Sequence, residues 1–202
     1  MGSGGHRTIY ALARRLASTG ATVDLHLADF GPDINDTASQ LDNTGVCLRR
    51  GWETSTYFDY AMATVASSAK HVQKIAAANR GYLIQDFEAY FNPLSDGYVE
   101  AESSYLPEFD FLSVGSWLGS VMERRYGTQA FCAGLGADPT IYRLLTPLPP
   151  AGIESDRPQA VCFLYQPDKP RRTPELGIEA LRLLKLARPE VEIYVYLSLI
   201  HI

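Results

Sequence analysis

The chain is short of several things, and each shortage narrows what it can be. Its 202 residues include three cysteines, Cys47, Cys132 and Cys162, far apart and with no CxxC pair. That spacing excludes a disulfide framework and predicts reduced, mostly buried thiols in a cytosolic protein. The four histidines, His6, His26, His71 and His201, show no metal-ligand spacing either, so no zinc site is expected. No apolar run approaches the roughly 20 residues of a membrane helix, and the residues before the first helix do not read as a secretory leader. Basic residues number 18 against 23 acidic ones, a net charge of −5. A general nucleic-acid or anionic-membrane binder is therefore not expected, although a local basic patch fits that balance. The GxGxxG, GK[ST] and GxSxG signatures are all missing, which disfavours a nicotinamide enzyme, a P-loop and an elbow-type hydrolase.

Hydrophobic residues, at 46%, are plentiful enough for a sizeable core. Along the chain, helical and strand patterns alternate. Ile9, Leu12, Ala13 and Leu16 give residues 7–17 an apolar helical stripe, and 21–27 read as a strand. Residues 29–44 are rich in Gly, Pro, Asn, Asp and Ser and read as a loop. Val46 to Arg49 is a short strand. The segment from Trp52 through Tyr57, Tyr60, Ala61, Val65 and Ala69 reads as helical, with 71–78 continuing it or forming a second helix. A strand ends at Gln85-Asp86-Phe87-Glu88. A turn at 93–97 precedes a helix through Tyr98 and Tyr105, then a strand over 109–114 and a helix over 116–126 with Trp117, Leu118 and Val121 inward. A strand over 128–132 closes the series. This alternation predicts a parallel, doubly wound α/β sheet.

Between Pro147 and Pro158 lie four prolines and little periodicity, which marks a linker. The organisation is thus a domain over 1–146, a linker over 147–158 and a second α/β unit over 159–202. That unit reads as strand 160–165, basic loop 168–172, helix 174–186 and strand 191–196. Both ends read as cut. A strand is expected upstream of the glycine-rich start, and the last strand should run on into a longer domain.

Three places hold residue types that suit chemistry. Asp86 and Glu88 follow a buried strand at the carboxyl edge of a parallel sheet, where ligands of such folds bind. If the strand persists they share a face; otherwise one caps the next segment and the other is solvated. Gly2-Ser3-Gly4-Gly5-His6 precedes a helix, where backbone N–H groups favour anions; a tight turn with a capping histidine is the plainer reading. Lys169, Arg171 and Arg172, between strand and helix, suit a diphosphate or are simply solvated.

Taken in order, Gly4-Gly5-His6-Arg7-Thr8-Ile9, Trp52-Glu53-Thr54, Tyr82 through Glu88, Ser116-Trp117-Leu118, Gly136-Ala137-Asp138 with Tyr142-Arg143, and Lys169 through Arg172 with Glu175-Leu176-Gly177 resemble glycosyltransferase family 4. The branch they resemble contains the bacterial rhamnosyltransferases of surface-glycan and rhamnan synthesis. The resemblance implies a GT-B fold, with an acceptor-side Rossmann-like first domain and the start of a nucleotide-sugar-binding second one. It also implies a metal-independent, retaining transfer from a nucleotide sugar such as dTDP-rhamnose to a glycan acceptor. A lipid-linked acceptor would draw such a protein to the inner face of a membrane. Asp86, Glu88 and His6 would be catalytic. Gly4, Gly5, Lys169, Arg171 and Arg172 would hold the donor phosphates, and Trp52, Gln85 and Tyr90 would face the acceptor. Gln166 stands where many relatives carry arginine, and the family's later carboxylate pair has no counterpart in the chain. Two rival readings stay open: a non-catalytic glycan- or nucleotide-binding module, and a Rossmann-type oxidoreductase.

Overall fold

The computed structural model describes residues 4–28, 34–52, 55–134, 136, 139, 143 and 159–197. The chain divides into two compact units, 1–135 and 136–202; the expected linker over 147–158 lies outside the described residues. All strand pairings among the described residues are parallel. The molecule is therefore α/β with parallel sheets, in the Rossmann-like manner that the alternating pattern predicts.

The first unit opens with α1 (Gly4–Ser18), β1 (Val23–Leu27), α2 (Ile34–Leu41) and β2 (Val46–Arg50). α2 corrects the loop expected over 29–44. Its composition is turn-like, but Thr37 and Leu41, one helical turn apart, are both buried. Thr37 Oγ1 also lies 3.0 Å from Tyr10 Oη of α1. Packing against α1 outweighs weak local propensity here.

β3 (Phe58–Ala63), α3 (Ala66–Val72) and β4 (Ala77–Ile84) follow, and they correct the helix expected from residue 57 onward. Aromatic and small residues alternate in Phe58-Asp59-Tyr60-Ala61-Met62-Ala63, and Ala61 and Ala63 turn inward together. The apolar spacing at 57, 60, 61 and 65 matches a helix only by coincidence. α3 ends at Val72 because Arg80, on β4, takes up the carbonyls behind it. Its guanidinium donates to Val72 O at 3.3 Å, Ile75 O at 2.6 Å and Ala77 O at 3.3 Å.

A 3-10 turn (Glu88–Phe91), α4 (Asp96–Glu102), β5 (Asp110–Ser113), α5 (Ser116–Tyr126) and β6 (Ala130–Cys132) complete this unit. β3, β4, β5 and β6 form one sheet in that order, while β1 and β2 form a separate pair. The single doubly wound sheet expected from the sequence is thus split in two. β1 meets β3 through side chains, with His26 edge-on to Phe58 at 6.3 Å. The core lies against the four-stranded sheet and joins Ala63, Tyr82, Ile84 and Phe111 to Ala69, Ala101, Tyr105, Leu118, Val121 and Met122. Trp117, expected inward, is 51% exposed. It sits about 100° around the helix from Leu118, which together with Val121 and Met122 takes the inner face.

The second unit holds β7 (Ala160–Tyr165), a 3-10 turn (Pro170–Arg172), α6 (Pro174–Ala187) and β8 (Glu192–Leu197), with β7 and β8 paired. Gly177 lets α6 lie directly on β7, since a Cβ there would stand 2.4 Å from Phe163 Cζ. The three cysteines are exposed, not buried as expected. Cys47 and Cys162 lie on two-stranded sheets and Cys132 ends an edge strand, where both faces cannot be covered. Among the described residues, no helix is long and apolar enough to cross a membrane.

Candidate functional site

β4 delivers the Gln85-Asp86-Phe87-Glu88 segment to the carboxyl edge of the four-stranded sheet. The strand ends at Ile84, so the period-two argument that would put Asp86 and Glu88 on one face stops before either residue. Asp86 Oδ1 accepts from the Phe87 N–H at 2.9 Å, a local bond that turns the chain out of the strand. Phe87 then drops into the core, 1% exposed, stacked on Tyr105 at 5.4 Å.

Glu88 is drawn inward with it. Its Oε2 accepts from the Ala66 N–H at the start of α3 at 3.0 Å, and its Oε1 from Tyr82 Oη at 3.2 Å. The Glu88 N–H donates to Tyr105 Oη at 3.1 Å. Burial pushes the Glu88 carboxyl above its usual range; the Ala66 N–H and the Tyr82 hydroxyl pull it partly back, and the Asp86 charge adds a smaller push upward. Burial likewise drives the Tyr82 and Tyr105 hydroxyls well above their ordinary value, with the Glu88 charge adding to it. Glu88 is thus a partly desolvated carboxylate whose two oxygens serve α3 and Tyr82, while its backbone N–H serves Tyr105. Asp86 is half-buried like Glu88, but its bond to the neighbouring Phe87 N–H does not reach another element.

The start of α1 comes to the same edge. A Cβ on Gly5 would stand 3.1 Å from Gln85 Oε1, so the small residue permits the close approach of helix and strand end. Gly4 and Gly5 belong to the first turn of α1, not to a preceding loop. His6 lies over Tyr10, ring centroids 6.2 Å apart and nearly coplanar. Gly5 and Gln85 therefore meet, with Asp86 next to Gln85 along the chain and His6 one residue along the helix.

Trp52 and Tyr90 pack on other helices. Trp52 stacks on His71, in the last turn of α3, with centroids 4.5 Å apart. His71 lies five residues, about 7.5 Å at 1.5 Å each, down α3 from Ala66, whose N–H meets Glu88. Tyr90 turns toward α5, where its hydroxyl accepts from Arg125 Nη2 at 3.1 Å. Arg125 also covers the Phe87 ring at 4.9 Å. Neither Tyr105 nor Arg125 stands out in the sequence. Tyr105 acts across 17 residues, and a basic residue in a last helical turn reads as solvated.

In the second unit, the basic turn lies between β7 and α6. Lys169 is half-buried, and Arg171 and Arg172 are exposed. Gln166, which ends the strand, is 8% exposed, and its Oε1 has no hydrogen-bond partner. The signal in the sequence was a polar residue directly after an apolar run. α6 follows, its N-cap Thr173 in the left-handed region with no side-chain cap bond. A buried amide, three cations and an uncapped helix start thus occupy one strand–helix connection. Among the described residues, no group of three or more His, Cys, Asp or Glu side chains could hold a metal ion.

No protein-family model, curated protein or solved structure matches the chain.

Proposed function

We propose that the chain is part of a retaining, GT-B-type glycosyltransferase that moves a sugar, rhamnose in our reading, from a nucleotide-sugar donor to a growing surface polysaccharide. The observation that carries this is the connection between β7 and α6. A diphosphate needs cations and oriented N–H groups at a helix start. Lys169, Arg171 and Arg172 supply the cations at the start of α6, which has no side-chain cap, beside the buried, unpartnered Oε1 of the Gln166 amide. Which end of that amide carries the nitrogen is fixed by its partner. With a phosphate in place, Gln166 would donate to it.

In this reading the departing diphosphate is stabilised where its charge develops, the largest contribution such a transfer needs. Asp86 faces the acceptor or transferred sugar at the edge of the first unit, with Gln85 and Gly5 beside it. Glu88 acts from behind, holding the turn that presents Asp86. Two parallel α/β units, each with polar residues at a strand's carboxyl edge, support the GT-B assignment.

The test is calorimetric titration of dTDP and, separately, NAD. Saturable dTDP binding that falls at least tenfold in Arg171→Ala/Arg172→Ala supports the proposal. Unchanged dTDP affinity in that variant, or preferential binding of NAD, would overturn it.

A further inference from the structure

A shallow, open pocket lies on the first unit between α4 and α5, apart from the Gly5–Gln85 contact. It measures about 450 Å³ and is lined by Val99, Glu102, Ser103, Arg125 and Tyr126. Arg125 Nη1 donates to Glu102 Oε1 at 3.0 Å and to Tyr98 Oη at 3.1 Å, and Nη2 donates to Tyr90 Oη at 3.1 Å. Three of the five guanidinium N–H groups are thereby used, and the Nε–H and one Nη2–H have no protein partner among the described residues. Glu102 is engaged through Oε1, which leaves Oε2 to a ligand. The fork is fixed by the stack on Phe87, so it does not need ordering on binding.

The chemistry selects the ligand class. The Arg125–Glu102 pair cancels its own charge, and a bare anion placed there meets Glu102 directly. An apolar ligand would strand the free N–H groups and the carboxylate oxygen. A neutral ring bearing adjacent hydroxyls satisfies both: one hydroxyl accepts from the guanidinium, its neighbour donates to Glu102 Oε2, and the ring's C–H face rests on Val99 and the half-buried Tyr126 ring. We propose that the α4–α5 cleft is a binding site for a neutral pyranose, a sugar site additional to the β4 edge.

The experiment uses the 202-residue chain, isotopically labelled, titrated with methyl α-L-rhamnoside and methyl α-D-glucoside while backbone amide shifts are followed. Saturable shifts centred on Val99, Ser103, Arg125 and Tyr126 with at least one sugar are expected. Val99 is 62% exposed, so Val99→Trp fills the cleft from the surface and should abolish the shifts without altering the melting temperature. Arg125→Met keeps the aliphatic stem and should weaken binding at least tenfold. No saturable shift with either sugar, or shifts that survive Val99→Trp unchanged, would overturn the proposal. Neither result depends on nucleotide binding by the second unit, so the two readings fail separately.

Discussion

Removing the Glu88 side chain should damage the first unit far more than neutralising it. In Glu88→Ala the Ala66 N–H, partly buried, and the hydroxyl of the buried Tyr82 lose their partners. Tyr82 is fully buried, and an unpaired buried hydroxyl costs about 1–3 kcal/mol. Loss of the acceptor at the start of α3 adds about 1 kcal/mol. The sum, about 2–4 kcal/mol, corresponds to a fall in melting temperature of roughly 6–12 °C for a chain of this size. Glu88→Gln behaves differently, because its amide oxygen still accepts from Ala66 and its NH₂ can donate to Tyr82 Oη. The carboxyl is shifted upward from 4.5, chiefly by burial. A raised carboxyl pKa means that the folded state holds the proton more tightly than the unfolded state. The stabilisation is full below the unfolded value and is lost as pH rises through the folded one. Glutamine has no proton to lose, so the stability of Glu88→Gln relative to wild type should rise as pH rises from about 4.5 through the raised folded-state value. Thermal unfolding followed by circular dichroism across that range is the assay. A Glu88→Ala loss below about 0.5 kcal/mol, well short of the cost of an unpaired buried hydroxyl, would refute the reasoning. So would a Glu88→Gln effect equal to that of alanine.

Tyr60 lies across Gly81 to reach Asp110, and a Cβ at 81 would stand 2.2 Å from its hydroxyl oxygen. Gly81→Ala should therefore cost about 1 kcal/mol by displacing the ring, and almost nothing in a Tyr60→Ser background; equal costs in the two backgrounds would contradict this. The same tyrosine is pushed up to about 12, by burial first and then by the Asp110 charge. Alkaline absorbance titration should show that ionisation moving down in Asp110→Asn, and stability falling as pH rises from 10 toward 12. Gly177→Ala should destabilise the second unit although alanine is the better helix former by about 1 kcal/mol. The predicted clash is with Phe163, so Phe163→Leu should restore the lost stability in denaturant titration.

Elements whose pattern was self-sufficient were legible from the chain. α5, β7 and α6 carry long unambiguous runs, and their observed bounds stand within a residue or so of the expected ones. α2 and β3 were not legible, since each depends on a partner far along the chain: Tyr10 for α2, β4 for β3. The pattern around Asp86 and Glu88 pointed to a special turn but not to its wiring. Ala66 and Tyr105, which fix Glu88, come from two other elements. The stack of Trp52 on His71 was likewise not legible, since it joins a residue after β2 to the last turn of α3. Gln166 stood out only as the residue where many relatives of the resembled family carry arginine; that its oxygen is buried without a partner could be learned only from the fold.

The most direct test of the central claim is to locate where a nucleoside diphosphate touches the protein. Backbone amides of the labelled chain should be followed during titration with dTDP. The account predicts saturable shifts at Gln166, Lys169, Arg171, Arg172 and the first turn of α6, abolished in Arg171→Ala/Arg172→Ala. Shifts confined to the start of α1 and Gln85, or none in the second unit at saturating dTDP, would contradict it.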